Sequence, residues 1–140
     1  MPLNPEFIKI GSDIIGAAFR VRNEAGSGLR EKYYAGALAY ELRSMGYQVE
    51  TEHPVPAKYK DTIIDNAYAA DLVVDNRVII EVKALRYVQE AECRQLLTYL
   101  RLSDFRLGCL INFGVKDFTV GRLSDPKPYV SGIYRMVNNI

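Results

Sequence analysis

The chain has no tryptophan, a single histidine and only two cysteines in 140 residues. His53 alone cannot build an imidazole-based metal centre, and Cys93 and Cys109 are too few and too scattered for a zinc site. They read as reduced, packed thiols of a cytoplasmic protein, with a disulfide left open. No apolar run approaches the ~18 residues of a membrane span, so no membrane partner is expected. The opening residues Met1-Pro2-Leu3-Asn4-Pro5-Glu6 lack the basic start and apolar stretch of a secretory signal. An excess of one charge is also missing: 18 Lys and Arg against 17 Asp and Glu give +1. Bulk positive charge therefore cannot hold this protein on nucleic acid. A local patch, or metal ions offsetting phosphate repulsion, would have to do so. What remains is 49% hydrophobic and 25% charged, which excludes a disordered tail, a collagen-like rod or a disulfide-stapled mini-protein. The length fits one domain over residues 1–140.

The apolar pattern starts helical. Asn4-Pro5 resembles a cap with proline at the first helical position. Phe7, Ile8, Ile14, Ile15, Ala18 and Val21 then recur at helical spacing, with Gly11-Ser12 as an interruption and Ser12-Asp13 as a second N-cap. After the turn Gly26-Ser27-Gly28, a second helix is predicted from Leu29 to Met45, with Tyr34, Leu38, Leu42 and Met45 as its apolar stripe. Two helices joined so closely pack antiparallel. Beyond Gly46 the period changes. Tyr47 to His53 reads as a strand, Pro54 and Pro56 as a break or an edge strand. Val55 to Tyr59 and Ile63-Ile64 read as a short strand or loop around Lys60-Asp61. Two strong strands follow, Tyr68–Val74 and Val78–Leu85, then a helix over Val88–Leu102 and a buried strand over Leu107–Phe113. Residues 114–131 read as mostly loop, and Gly132–Val137 as a last short edge strand. The order ααβββαβ gives an α/β sandwich with a mixed sheet, its strand–helix–strand unit from Val78 to Phe113 a parallel crossover.

The informative stretch runs from Tyr68 to Lys83. Side chains alternate along a strand, so Glu81 and Lys83 share a face. A two-residue loop at Asp75-Asn76 would set Asp71 opposite Ile80. A three-residue loop, Asp75-Asn76-Arg77, sets Asp71 opposite Glu81, with Asn76 suited to the left-handed conformation such loops need. Only the second register puts Leu72, Val74, Val78, Ile80 and Val82 on one face, so it is the one predicted. Two carboxylates and an amine then meet at one end of an otherwise apolar sheet. Buried charges need partners, and two adjacent acids favour a hard cation such as Mg²⁺, or Mn²⁺ in its place. The carbonyl of Val82 offers a further ligand. Lys83 stands where it can orient a water, an arrangement suited to hydrolysis of a phosphodiester. Taken alone, the same residues also describe a solvated salt-bridge patch.

Asp71 followed by Glu81-Val82-Lys83 resembles the signature of the PD-(D/E)XK nuclease superfamily. Gly28-Leu29-Arg30-Glu31-Lys32-Tyr33-Tyr34 matches the GxxExxY motif that names one family within it. Ile14-Ile15-Gly16-Ala17-Ala18, Ala37-Leu38-Ala39-Tyr40-Glu41-Leu42 and Leu110-Ile111-Asn112-Phe113 agree, so that the resemblance covers about residues 7–137. Ala70 stands where the superfamily's proline would be, a position without chemistry. The resemblance implies a restriction-endonuclease-like fold, a central mixed β-sheet flanked by helices. It implies Mg²⁺-dependent cleavage of nucleic acid, DNA ahead of RNA, with Asp71 and Glu81 as metal ligands and Lys83 as catalytic lysine. Glu31 would be an additional acid brought by a helix. Gln95 and Tyr99 resemble a QxxxY element, four apart on one helix face, with Arg94 and Arg101 at its margins as phosphate contacts.

Each supporting residue also has a plainer reading. Glu31 would be the third residue of a helix capped by Gly28, reaching back to the backbone. Gln95 and Tyr99 would be surface positions of an amphipathic helix. The alternative to a nuclease is a catalytically silent nuclease-fold module that binds nucleic acid or a protein partner. So small a domain would gain substrate grip from a dimer or a partner.

Overall fold

Alternation along two strands decides the layers. The computed structural model describes residues 5–121 and 131–137. In it β2 (Thr62–Val74) and β3 (Val78–Lys83) run antiparallel, with Leu72 opposite Ile80, Val73 opposite Ile79 and Val74 opposite Val78. Asp75, Asn76 and Arg77 form the loop, closed by a 2.9 Å bond from the Arg77 N–H to the Val74 carbonyl. The three-residue register is thus the one adopted. Asp75 as well as Asn76 takes the left-handed conformation, at φ 49° and 55°, at roughly 1–2 kcal/mol each. A slip by one residue would turn β3 over relative to β2, bringing Glu81 and Lys83 into the core that Val78, Ile80 and Val82 fill. Burying those charges there costs more than the turn's strain.

Leu72, Val74, Val78, Ile80 and Val82 enter one core with α1 (Pro5–Ala25) and α2 (Glu31–Ser44). Val73 and Ile79 enter a second core beneath α3 (Glu90–Leu102). The sheet between them also contains β1 (Val49–Tyr59), β4 (Leu107–Asn112), β5 (Val120–Gly121) and β6 (Ile133–Val137), in the order β1-β2-β3-β4-β6-β5. β3 and β4 are parallel, joined through α3, and β4 and β6 antiparallel. This mixed sheet flanked by helices is the restriction-endonuclease-like architecture expected. Cys109 lies in the first core and Cys93 in the second. Both are free thiols, separated by the sheet itself.

Several boundaries differ from the sequence reading. α1 runs unbroken through Gly11-Ser12, because Ile10, Gly11 and Ile14 are buried in sequence and their packing outweighs a glycine's helical cost of about 1 kcal/mol. Asn4, the expected cap, and residues 122–130 of the expected loop lie outside the described residues. α2 starts at Glu31 with Arg30 at its N-cap, so Glu31 is the first helical residue and the cap by Gly28 is not formed. Gly28 instead takes φ 98° in the preceding turn. Met45 is the exposed C-cap of α2 rather than part of its buried stripe. α3 starts at Glu90, where Gln89 and Glu92 form a reciprocal capping box. β1 passes through Pro54 and Pro56 without ending, because it is the sheet's edge strand, with a bulge between Val55 and Ala57. β1 and β2 form one long hairpin turning at Lys60-Asp61. β6, expected at the edge, is flanked by the two-residue β5.

Candidate active site

β2 and β3 pair only as far as Leu72 and Ile80. Beyond that row β2 continues with β1 alone, and the sheet forks. The fork leaves backbone donors without ladder partners, and carboxylates take them. The Val82 N–H donates to Oδ2 of Asp71 at 2.7 Å. The Asp71 N–H donates to Oε1 of Glu81 at 3.3 Å. Oε1 of Glu81 also accepts the hydroxyl of Tyr68. No bond holds Oδ1 of Asp71 or Oε2 of Glu81 among the described residues.

Burial dominates the electrostatics here. It holds the Asp71 carboxyl above its ordinary range, against the Val82 N–H bond and the charge of Lys83. The Glu52 charge adds to the rise. Burial likewise pushes Glu81 up to about 7, against the Tyr68 bond and Lys83, while the Asp71 charge adds to the rise. Tyr68 is itself driven far above its ordinary value, first by burial and then by the Glu81 charge. Lys83 is half-buried, opposite Asn112 in the β3–β4 pair. The predicted trio of Asp71, Glu81 and Lys83 therefore does share one neighbourhood.

The other predicted residues fall around it. Glu31 is exposed in the first turn of α2. Its helix reaches the site through Tyr34, whose ring stacks on Phe113 at 4.6 Å, while the Phe113 N–H donates to the Lys83 carbonyl at 2.9 Å. Among the described residues no three His, Cys, Asp or Glu side chains form a metal-ready group, so Glu31 is not joined to Asp71 and Glu81. Gln95 is exposed on α3. Tyr99, one turn on, stacks on Tyr68 at 4.2 Å and donates to the Ala67 carbonyl at 3.1 Å. Arg94 is paired with Glu90 along the exposed face of α3, and Arg101 is exposed near its end.

Two residues here had no role in the sequence reading. Tyr68 escaped because it lies three positions from Asp71, and a regular pleat would send the two to opposite faces. The pleat is not regular. Glu52, in the partner strand, has φ 49°. Ala70 and Val73, an odd number of positions apart, share the core beneath α3. The local twist therefore brings Tyr68 over Glu81. Asn112 escaped because a lone amide in an apolar strand carries no periodic signal, although it is wholly buried.

The donor set suits a hard divalent cation. Two carboxylates are each fixed through one oxygen, leave the other open, and are raised by burial despite the charge of Lys83. Mg²⁺ is ordinarily held by one or two carboxylates together with waters and substrate phosphate. Comparison with curated proteins and with solved structures gives no match. A family model described as the PD-(D/E)XK nuclease superfamily matches residues 8–123, a span containing Glu31, Asp71, Glu81 and Lys83, and the chain belongs to that superfamily.

Proposed function

We propose that this protein is a divalent-metal-dependent nuclease that hydrolyses phosphodiester bonds in nucleic acid, DNA ahead of RNA. The observation that carries the reading is the pairing of Asp71 and Glu81 at the fork, each with an oxygen in reserve and with Lys83 beside them. Asp71 and Glu81 hold Mg²⁺ or Mn²⁺, with the Val82 carbonyl as a further ligand. When bound, the ion draws charge from the scissile phosphate and makes water more acidic. Lys83 orients the attacking water and balances negative charge on the phosphate. Gln95 faces the same side of α3 as Tyr99 and helps place the water or the phosphate. Arg94 and Arg101 contact neighbouring phosphates, Arg94 by exchanging Glu90 for the substrate. Tyr99 borders the strand path while supporting Tyr68. Glu31, in the first turn of α2, would be an additional acid of the site.

A second reading, a nuclease-fold module that binds nucleic acid or a protein partner without cutting, is favoured by the exposed position of Glu31, which forms no metal-ready group with Asp71 and Glu81 among the described residues. One experiment separates the two. Labelled single- and double-stranded DNA and RNA are incubated with protein and Mg²⁺, Mn²⁺ or chelator. Cleavage that needs metal and disappears in Asp71→Ala and Lys83→Ala supports the nuclease. Binding without cutting, unchanged by chelator and by both substitutions, supports the module.

A further inference from the structure

We propose that Asn112 is a positioning residue for Lys83, acting by clamping the backbone that follows it. The inference rests on the reading of Lys83 as the catalytic lysine. β3 ends at Lys83 and the chain departs toward α3, so ladder bonds stop where the lysine must be held. Asn112 faces Lys83 across the parallel pair. Its Oδ1 accepts the Leu85 N–H at 2.8 Å and the Gly114 N–H at 3.2 Å. The next residue closes the other side, its N–H bonded to the Lys83 carbonyl. Gly114 completes the contact, since a Cβ there would lie 2.5 Å from the Leu85 carbonyl oxygen. The segment Asn112-Phe113-Gly114 thus grips the main chain at Lys83, Ala84 and Leu85. The Asn112 N–H is tied in turn to the Gly132 carbonyl at 2.7 Å, which anchors the grip in the sheet.

The amide's orientation is fixed, because two N–H donors face it and only an oxygen can accept them. Its Nδ2 is buried without a partner among the described residues. A leucine would fill similar volume without burying that unpaired donor. What leucine cannot do is accept from Leu85 and Gly114. The residue type therefore answers to the backbone it holds. Misplacement of a reacting group on the order of 1 Å costs about 100-fold in rate, so a loosened strand end affects turnover more than substrate binding.

The test uses the full chain as wild type, Asn112→Leu, Asn112→Ser and Asn112→Asp, with folding checked by circular dichroism. Cleavage of labelled DNA at saturating Mn²⁺ gives kcat and KM. In separate samples, reductive ¹³C-dimethylation reports the Lys83 environment by NMR, assigned with Lys83→Arg. Asn112→Leu and Asn112→Ser are expected to lower kcat about 100-fold with KM within about twofold, and to broaden or shift the Lys83 resonance. Asn112→Asp keeps the acceptor and is expected to retain kcat well above that of the Leu and Ser variants, while its added carboxylate shifts the Lys83 resonance without broadening it. If Asn112→Leu fails to fold, the smaller Asn112→Ser decides. A folded Leu or Ser variant whose Lys83 resonance and kcat match wild type overturns the proposal. A wild-type protein that cleaves nothing overturns the nuclease reading alone, and the Lys83 resonance then decides the clamp.

Discussion

The hydroxyl of Tyr68 and the N–H of Asp71 converge on the same oxygen of Glu81, Oε1. Tyr99 backs this arrangement by stacking on the Tyr68 ring. An aromatic pair thus holds the carboxylate through Oε1, and no bond among the described residues takes up Oε2. Groups that orient a metal ligand commonly contribute about 10–100-fold to metal affinity. Tyr68→Phe removes the donor and keeps the stack. We expect Mn²⁺ affinity, measured by calorimetry, to fall about tenfold or more, with the fold intact. Unchanged affinity would show that Glu81 needs no help from Tyr68.

Glu81 also makes stability depend on pH with a definite sign. Burial raises its folded pKa from 4.5 to about 7, so the folded chain holds this proton over a range where the unfolded chain has lost it. The stability associated with that proton is complete below about 4.5 and is lost as pH rises through about 7. The loss is on the order of 3 kcal/mol. Asp71, also raised by burial, acts in the same direction. Urea unfolding in chelator should show Glu81→Gln flattening this decline and exceeding wild type above neutral pH. A wild-type curve that rises across the same interval contradicts the assignment.

The two thiols give an independent check on the layers. Cys109 is pushed up to about 12 by burial and Cys93 to about 11, and the attacking species in thiol exchange is the thiolate. Neither should react with a disulfide reagent at pH 8 in the native protein, and both should react in urea. Because the sheet separates them, oxidation should give no intramolecular bridge unless the chain opens. A prompt native-state reaction of Cys109 would mean that the core facing α1 and α2 is open.

The sequence was most readable where burial and period agreed. The run from Leu72 to Val82 admits one register, and that register alone brought Asp71, Glu81 and Lys83 together. α3 and β4 were legible for the same reason. Reading failed where a local signal competed with position in the fold. Pro54 and Pro56 leave a break and an edge strand equally open in the sequence; the edge strand is the one formed, because an edge can dispense with outward N–H donors. Gly11 looks like an interruption, yet it sits in the buried face of α1. Glu31 is the first residue of α2 rather than the third, and no residue pattern reveals whether its carboxylate joins the other two. Tyr68 was hidden by an irregularity that alternation cannot express.

That irregularity carries the last prediction. Glu52 is exposed, yet its backbone sits at φ 49° in an otherwise extended strand. A non-glycine residue in the left-handed region is disfavoured by roughly 1–2 kcal/mol, part of which a glycine gives back through its greater freedom in the unfolded chain. Glu52→Gly should therefore raise the unfolding free energy by about 0.5–1 kcal/mol and leave the Tyr68–Glu81 contact in place. Glu52 also pushes the Asp71 carboxyl upward, so charge and backbone must be separated. Glu52→Gln removes the charge and keeps the conformational cost, while Glu52→Pro fixes φ near −65° and cannot adopt the kink at all. If the backbone is the cause, stability measured in urea runs Gly above Gln and wild type, with Pro lowest. Pro should also lose Mn²⁺ affinity, as Tyr68 swings away from Glu81. A Gln variant as stable as the Gly variant would assign the effect to repulsion with Asp71 instead, and the kink would then be no more than a passive turn in the strand.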